Sequence, residues 1–198
     1  SRGAACFGFA RASRGEQVIS ELTPLNREEH ALFNEILIRE FGLHFPESKR
    51  QILQSRLEPR LRELRLRRFL DYYLKLQYDL SGERDSLIRR VTNHETYFFR
   101  EKAQFEALFG PGLELLKKTT PTSQHLRFLS AGCSTGEEPY TLGIYALENR
   151  FHLGNMKVEV EAFDLDRECL EIAQAGVYGP RSLRATDSEK AQRYFREV

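Results

Sequence analysis

The sequence predicts an α/β protein in which a small helical N-terminal domain precedes an incomplete, doubly wound sheet domain of the nucleotide-binding type. Three observations lead there. Residues 23–91 carry helical periodicity only. Residues 126–145, LRFLSAGCSTGEEPYTLGIY, read as a buried strand (Leu126 to Ala131), a glycine-bounded turn (Gly132 to Gly136) and a helix opening at Glu137-Glu138-Pro139. A second strand, Lys157 to Phe163 (KVEVEAF), alternates apolar and polar residues and ends on Asp164-Leu165-Asp166 before a helical run to Ala175. The chain divides accordingly into a flexible tail (1–22), a helical domain (23–91), a block with linker helices (92–124) and a partial sheet domain (125–198).

Residues 1–20 are small, rich in glycine and arginine, and aperiodic, as expected of a tail. From Thr23-Pro24 a helix starts and places Leu32, Phe33, Ile36, Leu37 and Phe41 on one face until Gly42 stops it. A second helix follows Pro46 with Ile52, Leu53, Leu57, Leu61 and Leu64 inward. Pro59 predicts a kink near Ser55 to Glu58 or a split into two helices. Shorter helices cover Phe69 to Asp79 and Glu83 to Val91. Ala103 to Lys118 reads as helix broken around Gly110-Pro111-Gly112, and Ser188 to Phe195 as a terminal helix.

Charge is balanced, with 30 basic and 29 acidic residues, so no global field draws the chain to nucleic acid or to a membrane. No apolar run reaches membrane-spanning length. The three cysteines (Cys6, Cys133, Cys169) give neither a disulfide framework nor a metal-ligand spacing, which predicts a cytoplasmic protein without a metal. His94, a lone histidine with no acid or metal partner in view, reads as a polar contact.

Three chemistries compete for the glycine turn. A phosphate-binding loop needs a lysine after its last glycine, where this chain has Glu137 and Glu138. Gly132-Cys133-Ser134-Thr135-Gly136 matches a serine nucleophile elbow, yet the last histidine, His152, precedes the acids Asp164 and Asp166, the reverse of the order that fold uses. The third is a cofactor with a ribose but no pyrophosphate. Asp164 stands where an acid grips ribose hydroxyls, and the absence of a basic phosphate grip favours S-adenosylmethionine over a dinucleotide.

Thr92 to Glu101 (TNHETYFFRE) forms a second site element. Phe98 and Phe99 read as plugs between the domains, whereas Asn93, Thr96 and Arg100 supply an amide, a hydroxyl and a fixed cation suited to a zwitterionic cofactor end or a carboxylate substrate.

This block, the stretch SAGCSTGEEPY (130–140) and AFDLD (162–166) together resemble the CheR-type chemotaxis receptor methyltransferases, from about Pro24 onward. The resemblance implies a Rossmann-like S-adenosylmethionine-dependent domain and transfer of a methyl group to receptor glutamates, giving glutamyl methyl esters. By it, Asn93, Thr96, Arg100, Gly132, Glu137 or Glu138, and Asp164 line the cofactor site, and Arg100 serves either the cofactor or the substrate carboxylate. It also implies further strands after Val198, since two strands do not complete such a sheet. Between Lys49 and Arg68 stand eight basic and two acidic residues. A solvated helix face explains such a run without function, and no aromatic platform supports nucleic-acid binding. The resemblance makes Arg56, Arg60, Arg62 and Arg65 a docking face for the cytoplasmic methylation helices of chemoreceptors. A non-catalytic, cofactor-binding or receptor-docking module is the alternative, with a hydrolase using Ser134 third.

Overall fold

The computed structural model describes residues 22–78, 82–120 and 124–198; the expected N-terminal tail lies almost wholly outside them. Helix α1 (Arg27–Phe41) begins later than Thr23-Pro24 because Asn26 and Glu29 form a reciprocal capping box: the Glu29 N–H donates to Asn26 Oδ1 (2.8 Å) and the Asn26 N–H to Glu29 Oε2 (3.1 Å). The second Glu29 oxygen accepts the Leu70 N–H (3.0 Å). One carboxylate thus caps α1 and ties it to α3 (Phe69–Gln77).

Helix α2 (Arg50–Glu63) is one helix with Pro59 inside it, so the two-helix expectation fails. Packing explains why. Leu53, Leu57 and Leu61 flank the proline and are fully buried, and at about 1.5–3 kcal/mol each they outweigh the roughly 3 kcal/mol an interior proline costs. Together with α4 (Glu83–Val91), these helices enclose a core containing Phe33, Leu37, Phe69, Tyr72, Leu76 and Leu87.

Helices α5 (Lys102–Ala107) and α6 (Leu113–Thr119) are joined by a wide turn, Leu108–Gly112, in which Gly110 leaves helical geometry, as the glycine-proline-glycine run predicts. Strands β1 (His125–Ala131) and β2 (Lys157–Phe163) pair in parallel, His125 opposite Lys157 and Ala131 opposite Phe163. Helices α7 (Glu137–Glu148) and α8 (Arg150–Leu153) carry the crossover, and α9 (Arg167–Ala175) and α10 (Ser188–Tyr194) follow β2. The expectation of a buried β1 holds on one face only. Leu126 and Ser130 are buried, while Leu129 on the opposite face is 63% exposed, because α7 covers a single side of this two-stranded sheet. The second core joins Phe98, Phe99, Phe105 and Phe109 to Leu142, Ile144 and Tyr145 of α7, so the 92–101 block packs with the sheet domain.

Candidate cofactor-binding site

Both strands end level with each other, and the chain between β1 and α7 turns across their carboxyl ends, where doubly wound sheets bind ligands. The Phe163 carbonyl accepts the N–H groups of Gly132 (2.9 Å) and Cys133 (3.0 Å). Asp164, one residue past β2, staples the turn: its Oδ2 accepts the Ser134 N–H (2.7 Å) and its Oδ1 the Asp166 N–H (2.8 Å). A carboxylate offers about four lone-pair sites, so Asp164 retains acceptor capacity for a ribose. The turn is conformationally tense, with φ of +79° at Gly132, +49° at Ser134 and +96° at Gly136. At Gly136 a Cβ would stand 2.7 Å from Ala173 Cβ and 2.8 Å from Tyr178 Oη, so a side chain is excluded there. The Tyr178 hydroxyl donates to the Thr135 carbonyl (2.7 Å), bracing the turn from behind.

The opposite wall is the 92–101 block. Phe98 and Phe99 are buried, Phe98 edge-on to Tyr178 with ring centroids 4.9 Å apart. Thr141 of α7 anchors the block: its Oγ1 accepts the Phe99 N–H (3.1 Å) and donates to the Glu137 carbonyl (2.6 Å). Phe99 (φ +61°) and Glu101 (φ +55°) both adopt left-handed backbone around Arg100. That geometry leaves the Arg100 side chain exposed, donating to the Glu95 carbonyl.

Between these walls lies a cavity of about 250 Å³ in which Asn93, Thr96 and Arg100 face Gly132 and Glu138. A neighbouring cavity of about 600 Å³ shares Asn93 and Gly132, holds Asp164, and has Lys49 and Arg56 of the helical domain on its far side. Five of the six expected cofactor residues therefore converge. The sixth, Glu137, is fully buried and accepts the Thr135 hydroxyl (2.6 Å), so it shapes the turn; Glu138, held by the Ser130 hydroxyl (2.7 Å), presents its carboxylate at the cavity. A further depression of about 1010 Å³ lies elsewhere against α7 and β2, and its walls include Ile144, Leu147, Met156, Val158 and Val160. Among the described residues no acidic one lines it.

The four arginines of the expected docking face part company. Arg60 forks onto the buried Glu83 through Nε (2.7 Å) and Nη2 (2.8 Å) and also meets Glu63 (2.9 Å), so its charge is spent inside the fold. Arg56 donates to the Val91 carbonyl. Arg62 and Arg65 are exposed.

No activated nucleophile lines the site. Burial, reinforced by Asp164, raises the Cys133 thiol above its ordinary range, and burial with Asp166 pushes Cys169 up to about 11. Ser134 Oγ meets the Cys169 sulfur (4.0 Å), not an imidazole. The site suits a reaction that needs placement of charged groups and no base.

Residues 28–92 match the CheR methyltransferase all-alpha domain, and residues 94–198 match the CheR methyltransferase SAM-binding domain. The chain belongs to the CheR methyltransferase family. This CheR-family chain is 32% identical over 164 residues to chemotaxis protein methyltransferase 2 of Vibrio cholerae, covering 82% of this chain and 57% of the relative. It is 35% identical over 171 residues to chemotaxis protein methyltransferase 2 of Pseudomonas aeruginosa (85% and 58%), and 30% identical over 178 residues to the chemotaxis protein methyltransferase of Escherichia coli (89% and 59%). The chain thus spans somewhat under three-fifths of the length of these relatives. Membership in the CheR family sets the serine-hydrolase alternative aside and gives S-adenosylmethionine as the cofactor of residues 94–198. The residues fit it: acids for a ribose and a cationic sulfonium, an arginine for a carboxylate, and acids rather than a lysine after the last glycine of the turn. Among the described residues no helix is long and apolar enough to cross a membrane.

Sequence reasoning left the choice between Glu137 and Glu138 open, and it missed three participants. Lys49 is one of eight basic residues in its run and nothing local sets it apart, and Tyr178 lies in no motif of the site. The third is His94, which does have partners: Cys169 and Asp166, more than seventy residues away in the chain.

Proposed function

We propose that the whole protein transfers a methyl group from S-adenosylmethionine to glutamate side chains of chemoreceptors, forming methyl esters. The cofactor supplies an electrophilic methyl group on a sulfonium. A carboxylate oxygen of the substrate attacks that methyl as its bond to sulfur breaks, which leaves an ester and a neutral thioether. A glutamate with a pKa near about 4.3 is ionised at neutral pH, so no protein base is required. The chain's part is positioning and exclusion of water. Asp164 holds the ribose, Glu138 complements the cofactor's positive end, and Asn93, Thr96 and Arg100 fix its amino-acid end or the incoming carboxylate. Lys49 and Arg56 draw an acidic receptor helix to the second cavity, with Arg62 and Arg65 extending the same field along α2.

The observation that carries this reading is the convergence of Asn93, Thr96 and Arg100 on Gly132 in one cavity, with Asp164 in the next. Arg100 gives the cleanest test. Its hydrogen-bonded protein contact is a backbone carbonyl at the surface, so Arg100→Gln spares the fold, whereas removing Asp164 also opens the glycine turn. Calorimetric titration with S-adenosylhomocysteine is expected to show binding to this chain that weakens by at least about tenfold in Arg100→Gln, the loss of one charge-assisted contact. With full-length protein, receptor-bearing membranes and methyl-labelled cofactor, the label should be released by mild base. Base-stable label would rule out the ester.

A further inference from the structure

His94 leaves α4 at the join between the helical domain and the glycine turn, and it meets two residues of the segment that opens α9. Its Nδ1 lies 3.3 Å from Cys169 Sγ. Its Nε2 faces the Arg89 carbonyl (2.9 Å), the Thr92 hydroxyl (2.8 Å) and Asp166 Oδ2 (3.5 Å). The Thr92 hydroxyl donates to the Ile88 carbonyl (2.7 Å), so it accepts at Nε2. Both hydrogen-bond partners of Nε2 are therefore acceptors, and the neutral ring carries its proton there. Nδ1 is left with a lone pair aimed at the sulfur. Histidine ligands of metals are usually oriented this way, one nitrogen free and the other donating to a backbone carbonyl.

Asp166 completes the arrangement. Its Oδ1 caps α9 by accepting the Glu168 N–H (2.9 Å), while Oδ2 makes no such bond and turns toward His94. One donor atom from each of His94, Asp166 and Cys169 lies within 4.8 Å of the other two. The Asp166 side chain is only 4% exposed and Cys169 is buried. Zinc–sulfur and zinc–nitrogen bonds of about 2.3 and 2.0 Å at a tetrahedral angle place those atoms about 3.5 Å apart, within a few tenths of an ångström of the observed separation. Arg89, whose carbonyl meets His94, has its guanidinium paired with Glu168 (2.5 Å).

We propose that His94, Asp166 and Cys169 bind one thiophilic divalent cation of the zinc class. The ion takes the place of the thiol proton, which passes to solvent, and water fills the fourth position. Mixed nitrogen, sulfur and carboxylate donors select such an ion over magnesium or calcium. Because the Asp166 N–H bonds Asp164, the ion fastens the end of α4 to the turn that holds the ribose acid.

Cobalt(II) titration of the fully reduced chain tests this. The expected result is a thiolate-to-cobalt charge-transfer band in the near ultraviolet that saturates at one equivalent and is displaced by zinc. Cys169→Ser and His94→Gln lose the band; Cys133→Ser keeps it. Zinc should also raise the melting midpoint of the parent chain and leave His94→Gln unmoved, a readout that stands even where Cys169→Ser folds poorly. A parent chain without the band carries only an S–H···N hydrogen bond here, and a band surviving in folded Cys169→Ser comes from Cys6 or Cys133. Either result overturns the proposal.

Discussion

Replacing Glu83 with glutamine should destabilise the helical domain by about 3 kcal/mol and reveal Arg60 as a structural residue. The Glu83 side chain is 2% exposed and accepts three hydrogen bonds: Arg60 Nε (2.7 Å), Arg60 Nη2 (2.8 Å) and Tyr72 Oη (3.1 Å). A glutamine keeps one acceptor oxygen in that place and turns an N–H₂ toward the remaining guanidinium donor. The variant loses at least one charge-assisted bond, about 1.5–3 kcal/mol, and leaves a donor facing a donor. Breaking a fully buried pair costs roughly 3–5 kcal/mol. Arg60 is 25% exposed and still holds Glu63, so water and that partner recover part, which gives the lower end of the range. Urea unfolding followed by far-UV circular dichroism measures it. The effect also has a pH signature. Burial alone would raise the Glu83 pKa, but the hydrogen bonds from Arg60 and Tyr72 outweigh it and the net shift is downward. A carboxyl lowered in the folded state contributes fully above its unfolded pKa of roughly 4.3 and loses that contribution as pH falls through the folded value. The gap between parent and variant should therefore close in acid. A loss below about 1 kcal/mol at neutral pH, the range of a surface pair, would refute this reasoning and return Arg60 to the docking face.

Three further outcomes follow from the same geometry. Gly136→Ala should cost about 2–4 kcal/mol, adding overpacking against Ala173 and Tyr178 to left-handed strain, whereas Gly132→Ala, with open space at its Cβ, should cost only the strain of about 1–2 kcal/mol; paired thermal melts compare them. Thr141→Val leaves the Phe99 N–H without an acceptor and should cost about 1–3 kcal/mol, with weaker S-adenosylhomocysteine binding as the 92–101 block loosens; an unchanged melt would show the block is held by its phenylalanines alone. Arg65 ends α2 in a left-handed conformation (φ +56°) usually filled by glycine. Arg65→Gly should thus stabilise the chain by about 1 kcal/mol while flattening the salt dependence of receptor binding, measured as the association rate at several ionic strengths.

Local rules determined much of this protein from sequence alone. Periodicity, glycine stops and the strand-turn-helix-strand order placed the helices and both strands, because each signal depends on neighbours within a few residues. The site block was legible for the same reason: Asn93, Thr96 and Arg100 sit together on one short segment, and Asp164 ends a strand. Tertiary structure decided which charges stay at the surface. Arg60 and Arg62 look alike in a basic helix, and only the packing of α4 on α2 brings Glu83 beneath one of them. Leu129 was expected inside because it lies in an apolar run, yet burial needs a covering layer, and α7 lies on the other face. Glu137 and Glu138 are adjacent, so the helical turn between them settled which one meets the cavity. His94, Asp166 and Cys169 carry no spacing signature, since a cluster drawn from the 92–101 block and the start of α9 comes together only after the chain has folded.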